Sequence, residues 1–225
     1  MFLSGGGGCG KSHVVCAAQA MCQHFCHCIN KGFNNSAFLF TALRNSAAAL
    51  IGGQTIHSVA QLRTNFSNVS INGIDVKIFW FTATLIIIDE IFMLSLADLM
   101  KLDKHLIFLR NEVYGNESQV FGGLHILMCG DFFQLNPVRP VYIYNRSENA
   151  LWNLTNSVIF LKGPNHRFKN DLKWRELFDR MRPGLMINKD HAFLDTRVLG
   201  PNLRLPDEKE LNGASISHAC PTNAQ

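Results

Sequence analysis

Gly5-Gly6-Gly7-Gly8-Cys9-Gly10-Lys11-Ser12 fits the pattern G-x-x-x-x-G-K-[ST], the phosphate-binding P-loop. It stands between a short apolar stretch, Met1-Phe2-Leu3-Ser4, and a helix-like run that starts at Lys11. Strand, glycine loop and helix form the context the pattern requires. Glycines let successive backbone N–H groups turn inward around a phosphate chain, and the helix behind them adds the positive end of its dipole. Lys11 is placed to reach β- and γ-phosphates, and the Ser12 hydroxyl to ligate Mg²⁺. The alternative is a flexible glycine linker that ends by chance in Lys-Ser, and the flanking strand and helix argue against it.

A second segment completes this chemistry. Leu85-Ile86-Ile87-Ile88 reads as a buried strand that delivers Asp89-Glu90 at its carboxyl end, where open α/β sheets bind ligands. Asp89 is the candidate for the Mg²⁺ shell, and Glu90 for positioning and activating the water that attacks the γ-phosphate. Taken alone, the pair could also be a helix cap. A GTPase would be expected to carry N-K-x-D, and Asn188-Lys189-Asp190 lacks that spacing, so ATP is favoured.

Further short apolar runs, Ala37 to Phe40, Leu124 to Met128 and Val158 to Leu161, alternate with helix-like segments. Helices are expected from Lys11 to about Cys28, Ser46 to Ile51, Ser95 to Arg110 and Asp171 to Met181, the last capped by Asp171 and ended by Pro183-Gly184. That alternation implies an α/β fold, a parallel sheet covered by helices on both faces. A boundary is expected near Gly163, before Pro164-Asn165, giving residues 1–163 and 164–225.

With 225 residues and 47% apolar content the chain can bury a full core, which argues against disorder. A formal charge of +4 is compatible with a polyanionic partner without identifying one. Seven cysteines without a disulfide spacing favour a reducing compartment, nuclear or cytosolic. No apolar run is long enough to span a membrane. Both ends of the sequence look abrupt, and a fragment is expected.

Several motifs in order give the chain a specific likeness. Thr41-Ala42, Ala47-Ala48 and Ile51-Gly52-Gly53-Gln54-Thr55-Ile56-His57-Ser58 resemble motif Ia of the Pif-type ATP-dependent DNA helicases of superfamily one. Asp89-Glu90-Ile91-Phe92-Met93 resembles their D-E-I-S-M box. Cys129-Gly130-Asp131-Phe132-Phe133-Gln134-Leu135-Asn136-Pro137-Val138 resembles motif III. Asn165-His166-Arg167-Phe168 resembles motif IV, and Met181-Arg182-Pro183-Gly184 the family's segment beyond that motif.

The resemblance implies a P-loop NTPase with a RecA-like sheet, residues 1–163 being one ATP-binding motor lobe and residues 164–225 the start of a second region. It implies Gln134 as γ-phosphate sensor and Arg167 as a cation on the same phosphate. It places single-stranded DNA near Thr55, His57 and Ser58, and it implies action at duplex junctions. Five-prime to three-prime unwinding, roles in repair, recombination and telomere maintenance, and a nuclear location, with mitochondrion and cytoplasm as alternatives, come with it. Chemically, an amide or guanidinium aimed at the transferring phosphoryl group fits those roles. A capped turn for Gln134, a surface cation for Arg167 and a helix cap for Thr55 to Ser58 remain open. Phe132 and Phe133 are expected to be core rather than base-stacking.

The sequence also departs from that family. Cys9 stands for the usual Thr of the loop, Arg44-Asn45 for a frequent Thr-Gly, and Asn136 for the first Pro of motif III. The later family boxes have no counterpart here, so the chain is expected to bind Mg-ATP weakly and not to unwind DNA. Competing expectations are a non-catalytic nucleic-acid-binding remnant and a metal module on Cys22, His24, Cys26, His27 and Cys28. A plain helix face of small apolar thiols is the alternative to that module.

Overall fold

A computed structural model describes residues 1–63, 74–114, 119–134, 143, 150–163, 166 and 171–196. Arg167, Pro164-Asn165 and Asn136-Pro137-Val138 lie outside the described residues.

The chain opens with β1 (Phe2–Gly5) and passes through the glycine loop into α1 (Lys11–Cys28). Next come β2 (Phe38–Ala42), α2 (Asn45–Leu50), β3 (Gln54–Thr55) and the single turn α3 (Ile56–Val59). α4 (Ile74–Thr82) leads into β4 (Leu85–Asp89), a 3-10 turn at Ile91–Met93 and the long α5 (Leu96–Tyr114). β5 (His125–Gly130), α6 (Ala150–Asn153), β6 (Val158–Leu161), α7 (Leu172–Met181) and α8 (Asn188–Asp195) complete the order.

The strands form one sheet in the order β3-β2-β4-β5-β1-β6. Every pairing is parallel. Side chains on a strand point alternately to opposite faces, so near-continuous apolar runs supply two cores at once. Phe2, Leu39, Ile86, Ile88 and Met128 face one side and pack with Trp80 of α4 and Leu99, Leu102, Leu106 and Leu109 of α5. Leu3, Phe40, Ile87, Leu127 and Cys129 face the other and pack with Val15 of α1 and Ala48 of α2. The expected α/β sheet with helices on both faces is what the chain forms.

Two compact units are separable, Met1–Arg175 and Glu176–Gln225. In the second, the nearly fully buried Asp190 accepts from Arg180 Nε at 2.8 Å, Arg180 Nη2 at 2.6 Å and the Ile187 amide at 3.0 Å. The guanidinium, and then the amide, hold that carboxyl down to about 2. Asp190 of the near-miss guanine motif is thus bound into a local clasp.

Candidate functional site

Parallel strands end on a common edge, and three of those ends meet around β1. Ser4 lies opposite Gly130 and Gly5 opposite Leu161, while Ala42 lies opposite Asp89 on the neighbouring strands. The glycine loop, the Asp89-Glu90 pair and Asp131 therefore leave the sheet on the side where α/β folds bind ligands.

The loop needs its glycines. Gly10 enters α1 at φ +98, a left-handed conformation that side chains rarely adopt. A Cβ on Gly5 would lie 2.5 Å from Cys9 Sγ and 3.1 Å from Leu161 Cβ, so the loop closes only around a bare backbone. The amide of Cys9 donates to Gly6 O at 3.3 Å, and that of His166 donates to Gly8 O at 3.1 Å. Lys11 is buried, and its ammonium donates to Gly5 O at 2.8 Å and Gly6 O at 3.2 Å. Its charge sits in the mouth of the loop.

Ser12 Oγ donates to Asp89 Oδ2 at 3.5 Å, and Asp89 Oδ1 accepts from the Glu90 amide at 2.9 Å. Burial pushes the Asp89 carboxyl up, against the Glu90 amide, the Lys11 charge and the Ser12 hydroxyl, which favour its ionised form. A hydroxyl facing a buried carboxylate is a pair of hard oxygen donors and fits Mg²⁺, which keeps several waters and takes few protein ligands.

Glu90 sits at φ 59 and ψ 37, a left-handed conformation strained for a side-chain-bearing residue. Its Oε2 is buried with no hydrogen-bond partner among the described residues. Burial, and then the neighbouring Asp89, push its pKa up, with Asp131 adding to the rise, while Lys11 and Arg44 oppose it. This strand end therefore holds an ionisable oxygen with no partner among the described residues, beside a phosphate loop.

Past β5, Asp131 is almost fully buried and organises a tight turn. Its Oδ1 accepts from the Phe133 amide at 3.2 Å and its Oδ2 from Gln134 Nε2 at 3.2 Å, while its carbonyl accepts from the Gln134 amide at 3.0 Å. Gln134 is tethered in this turn. Phe132 joins Phe2 and Trp152 in a triad with ring centroids 5.1 to 5.4 Å apart, a core role, whereas Phe133 is exposed. Burial pushes the neighbouring Cys129 thiol up to about 12, leaving it inert.

Thr55 Oγ1 accepts from the Ser58 amide at 3.3 Å, so the helix-cap reading holds for that residue. Thr55, His57 and Ser58 also line an open depression of about 350 Å³ with Asn45, Gln61 and Arg63. Sequence reading missed Gln61, Arg63 and the influence of Arg44 on Glu90, and had singled out Asn45 only as a departure from the family. On α1, Cys28 Sγ meets His24 Nε2 at 3.4 Å, but among the described residues no three His, Cys, Asp or Glu side chains gather to hold a metal ion. The metal module has no support there, because its members are spread around the helix and Cys26 is buried in the core.

Among known proteins, a family model described as PIF1-like helicase matches residues 1–181. The chain belongs to the PIF1-like helicase family. This PIF1-like chain is 28% identical over 201 residues to the ATP-dependent DNA helicase PIF1 of Saccharomyces cerevisiae (strain YJM789), covering 82% of the chain and 21% of that protein. It is 29% identical over 146 residues to the ATP-dependent DNA helicase RRM3 of Saccharomyces cerevisiae (strain ATCC 204508 / S288c), covering 61% of the chain and 18% of that protein. The crystal structure of Pif1 helicase from Candida albicans superposes with a TM-score of 0.70 at 26% identity, covering 92% of this chain and 45% of that one. Bacteroides Pif1 in complex with ADP-AlF3 and ssDNA shares the fold, with a TM-score of 0.59 at 21% identity over 86% of this chain and 44% of that one. The PIF1-like chain thus spans about a fifth of its curated relatives and a little under half of these solved chains.

Proposed function

We propose that this PIF1-like chain supplies the ATP-binding lobe of an ATP-dependent DNA helicase, residues 1–163 forming the lobe and residues 164–225 opening the next region. The observation that carries this is Ser12 Oγ facing Asp89 Oδ2 at 3.5 Å directly behind the glycine loop. Two distant parts of the sequence thereby meet where a magnesium-bound triphosphate would sit.

The backbone amides around Gly8 and Gly10 grip the phosphates, and Lys11 turns from the loop carbonyls to β- and γ-phosphate oxygens. Ser12 and Asp89 would hold Mg²⁺, which would supply charge neutralisation for the transferring phosphoryl group. Glu90, with its unpartnered oxygen, orients the attacking water and takes up its proton. Gln134, released from the Asp131 turn, reports the γ-phosphate, and Arg167, outside the described residues, is proposed as a cation for the same phosphate. Single-stranded DNA lies along the depression at Thr55, His57 and Ser58, with Arg63 adding a cation for its phosphates, and duplex junctions are the substrate of the whole motor. A nuclear location accords with this work. Stepping by such a motor uses the opening and closing of a cleft between lobes, one of which this lobe would supply.

ATP hydrolysis measured with and without single-stranded DNA tests the reading. Stimulation by DNA is expected, and Glu90→Gln should keep nucleotide binding while lowering hydrolysis by roughly 10²–10⁴-fold. A Glu90→Gln variant that hydrolyses like the parent chain would sink the assignment of Glu90 as the hydrolytic base.

A further inference from the structure

The C-terminal end of α1 lies away from the nucleotide site. Over the length of this helix, Lys11 to Cys28, a rise of about 1.5 Å per residue puts roughly 25 Å between its ends. The five His and Cys side chains of that far end do not gather into one group, yet two of them meet. His24 and Cys28, four residues apart, share a helix face, and Cys28 Sγ stands 3.4 Å from His24 Nε2. Both residues are exposed.

Thiolate sulfur and neutral imidazole nitrogen are ligands of Zn²⁺, at about 2.3 Å and about 2.0–2.1 Å. Two such donors at the tetrahedral angle stand about 3.5 Å apart. The pair therefore already holds nearly the separation that one ion asks of it. A thiol–imidazole hydrogen bond gives that spacing too, and the surface around the pair separates the two readings. The ion would also sit at the last turn of α1, where the negative end of the helix dipole favours a cation. Mg²⁺ takes oxygen donors, so this ion and the one beside Ser12 and Asp89 do not compete.

Two donors fill half of a tetrahedral site, and among the described residues no third His, Cys, Asp or Glu joins them. Beside the pair, Met21, Phe25 and Ile29 form a row of large apolar side chains, exposed at 73%, 57% and 46%. From Ser12 to Cys28 the helix carries no Asp, Glu, Lys or Arg. A helix that faces water ordinarily carries charge on its outer side. An uncharged apolar row instead fits contact between two copies, whose identical surfaces meet about a two-fold axis with no like charges opposed.

We propose that His24 and Cys28 from two copies of this chain complete one four-coordinate Zn²⁺ site of paired thiolates and imidazoles, with Met21, Phe25 and Ile29 packed across the axis. Each thiol gives its proton to solvent as its sulfur binds the ion. The test titrates the 225-residue chain, kept reduced with a phosphine, with Zn²⁺ while light scattering follows its mass. One ion per two chains and a doubling of mass are expected, both reversed by EDTA. Co²⁺ in place of Zn²⁺ should give the visible bands and the sulfur-to-metal charge-transfer band of a tetrahedral thiolate site. His24→Ala and Cys28→Ser change exposed positions, and each should weaken the metal-dependent pairing by at least about tenfold. Cys16→Ser, which removes another exposed thiol of the same helix, should leave it unchanged. One ion per chain without a change in mass, no binding at all, or equal losses in Cys16→Ser and Cys28→Ser overturns the proposal.

Discussion

Glu90 bears a left-handed backbone and a buried carboxylate oxygen without a partner among the described residues, and each is unfavourable to the folded state. Burial and the adjacent Asp89 raise its pKa, so the folded chain holds the proton more tightly than the unfolded one. That contribution to stability is therefore fully present below the ordinary 4.5 and is lost as pH rises through the raised folded value. Glu90→Gln removes the charge and keeps the shape, and should raise the melting temperature at neutral pH by roughly 1–3 °C while hydrolysis collapses. Thermal melts of both proteins decide it, a lowered Tm counting against the unpartnered carboxylate. Lys11, Ser12, Asp89 and Glu90 were readable in the sequence because their positions are set locally, by a loop pattern and by the end of an apolar strand. Arg44 and Arg63 were not, since what places them is the pairing of β2 with β4 and β3, which no local pattern encodes.

Among the elements, α5 carries much of one core, with Leu99, Leu102, Leu106 and Leu109 all at or near zero exposure. Its spacing made it legible from Ser95 onward, and the structure extends it to Tyr114. α4 went unread because Ile74–Thr82 is apolar and aromatic nearly all round, with no stripe to mark a period. Tertiary contacts secure it instead, Arg110 donating to the Trp80 carbonyl at 2.5 Å and the Ala83 carbonyl at 2.9 Å at its C-terminal end. Leu106→Ala should cost about 2–5 kcal/mol by denaturant melts, a large share of a stability of about 5–15 kcal/mol. A loss under about 1 kcal/mol would mean that site collapses freely around the missing side chain.

The clasp between α7 and α8 makes a pH prediction. Asp190 falls from an ordinary 3.8 to about 2, so its stabilising effect is present above pH 3.8 and is lost as pH falls through about 2. Hydrogen exchange of α8 amides should accelerate across that window, and Asp190→Asn should abolish the acid dependence. An unchanged acid profile in Asp190→Asn would show that Arg180 does not act through that carboxylate.

In the molecule as a whole, six parallel strands bring residues far apart in sequence to one edge, and the chemistry is set by their order. β1 lies between β5 and β6 while β4 lies beside β5, so the loop after β1 meets the carboxylates after β4 and β5. The alternating apolar runs disclosed a parallel sheet but not this order, because pairing depends on crossovers rather than on composition. The joint site of Ser12 and Asp89 exists only through that order. Its direct trial is the affinity of the chain for a fluorescent ATP analogue as Mg²⁺ is raised, compared with Ser12→Ala and Asp89→Asn. The parent affinity should climb with Mg²⁺, and both variants should lose that climb by at least about tenfold. Variants that track the parent curve at every Mg²⁺ concentration would show that the two oxygens hold no ion between them.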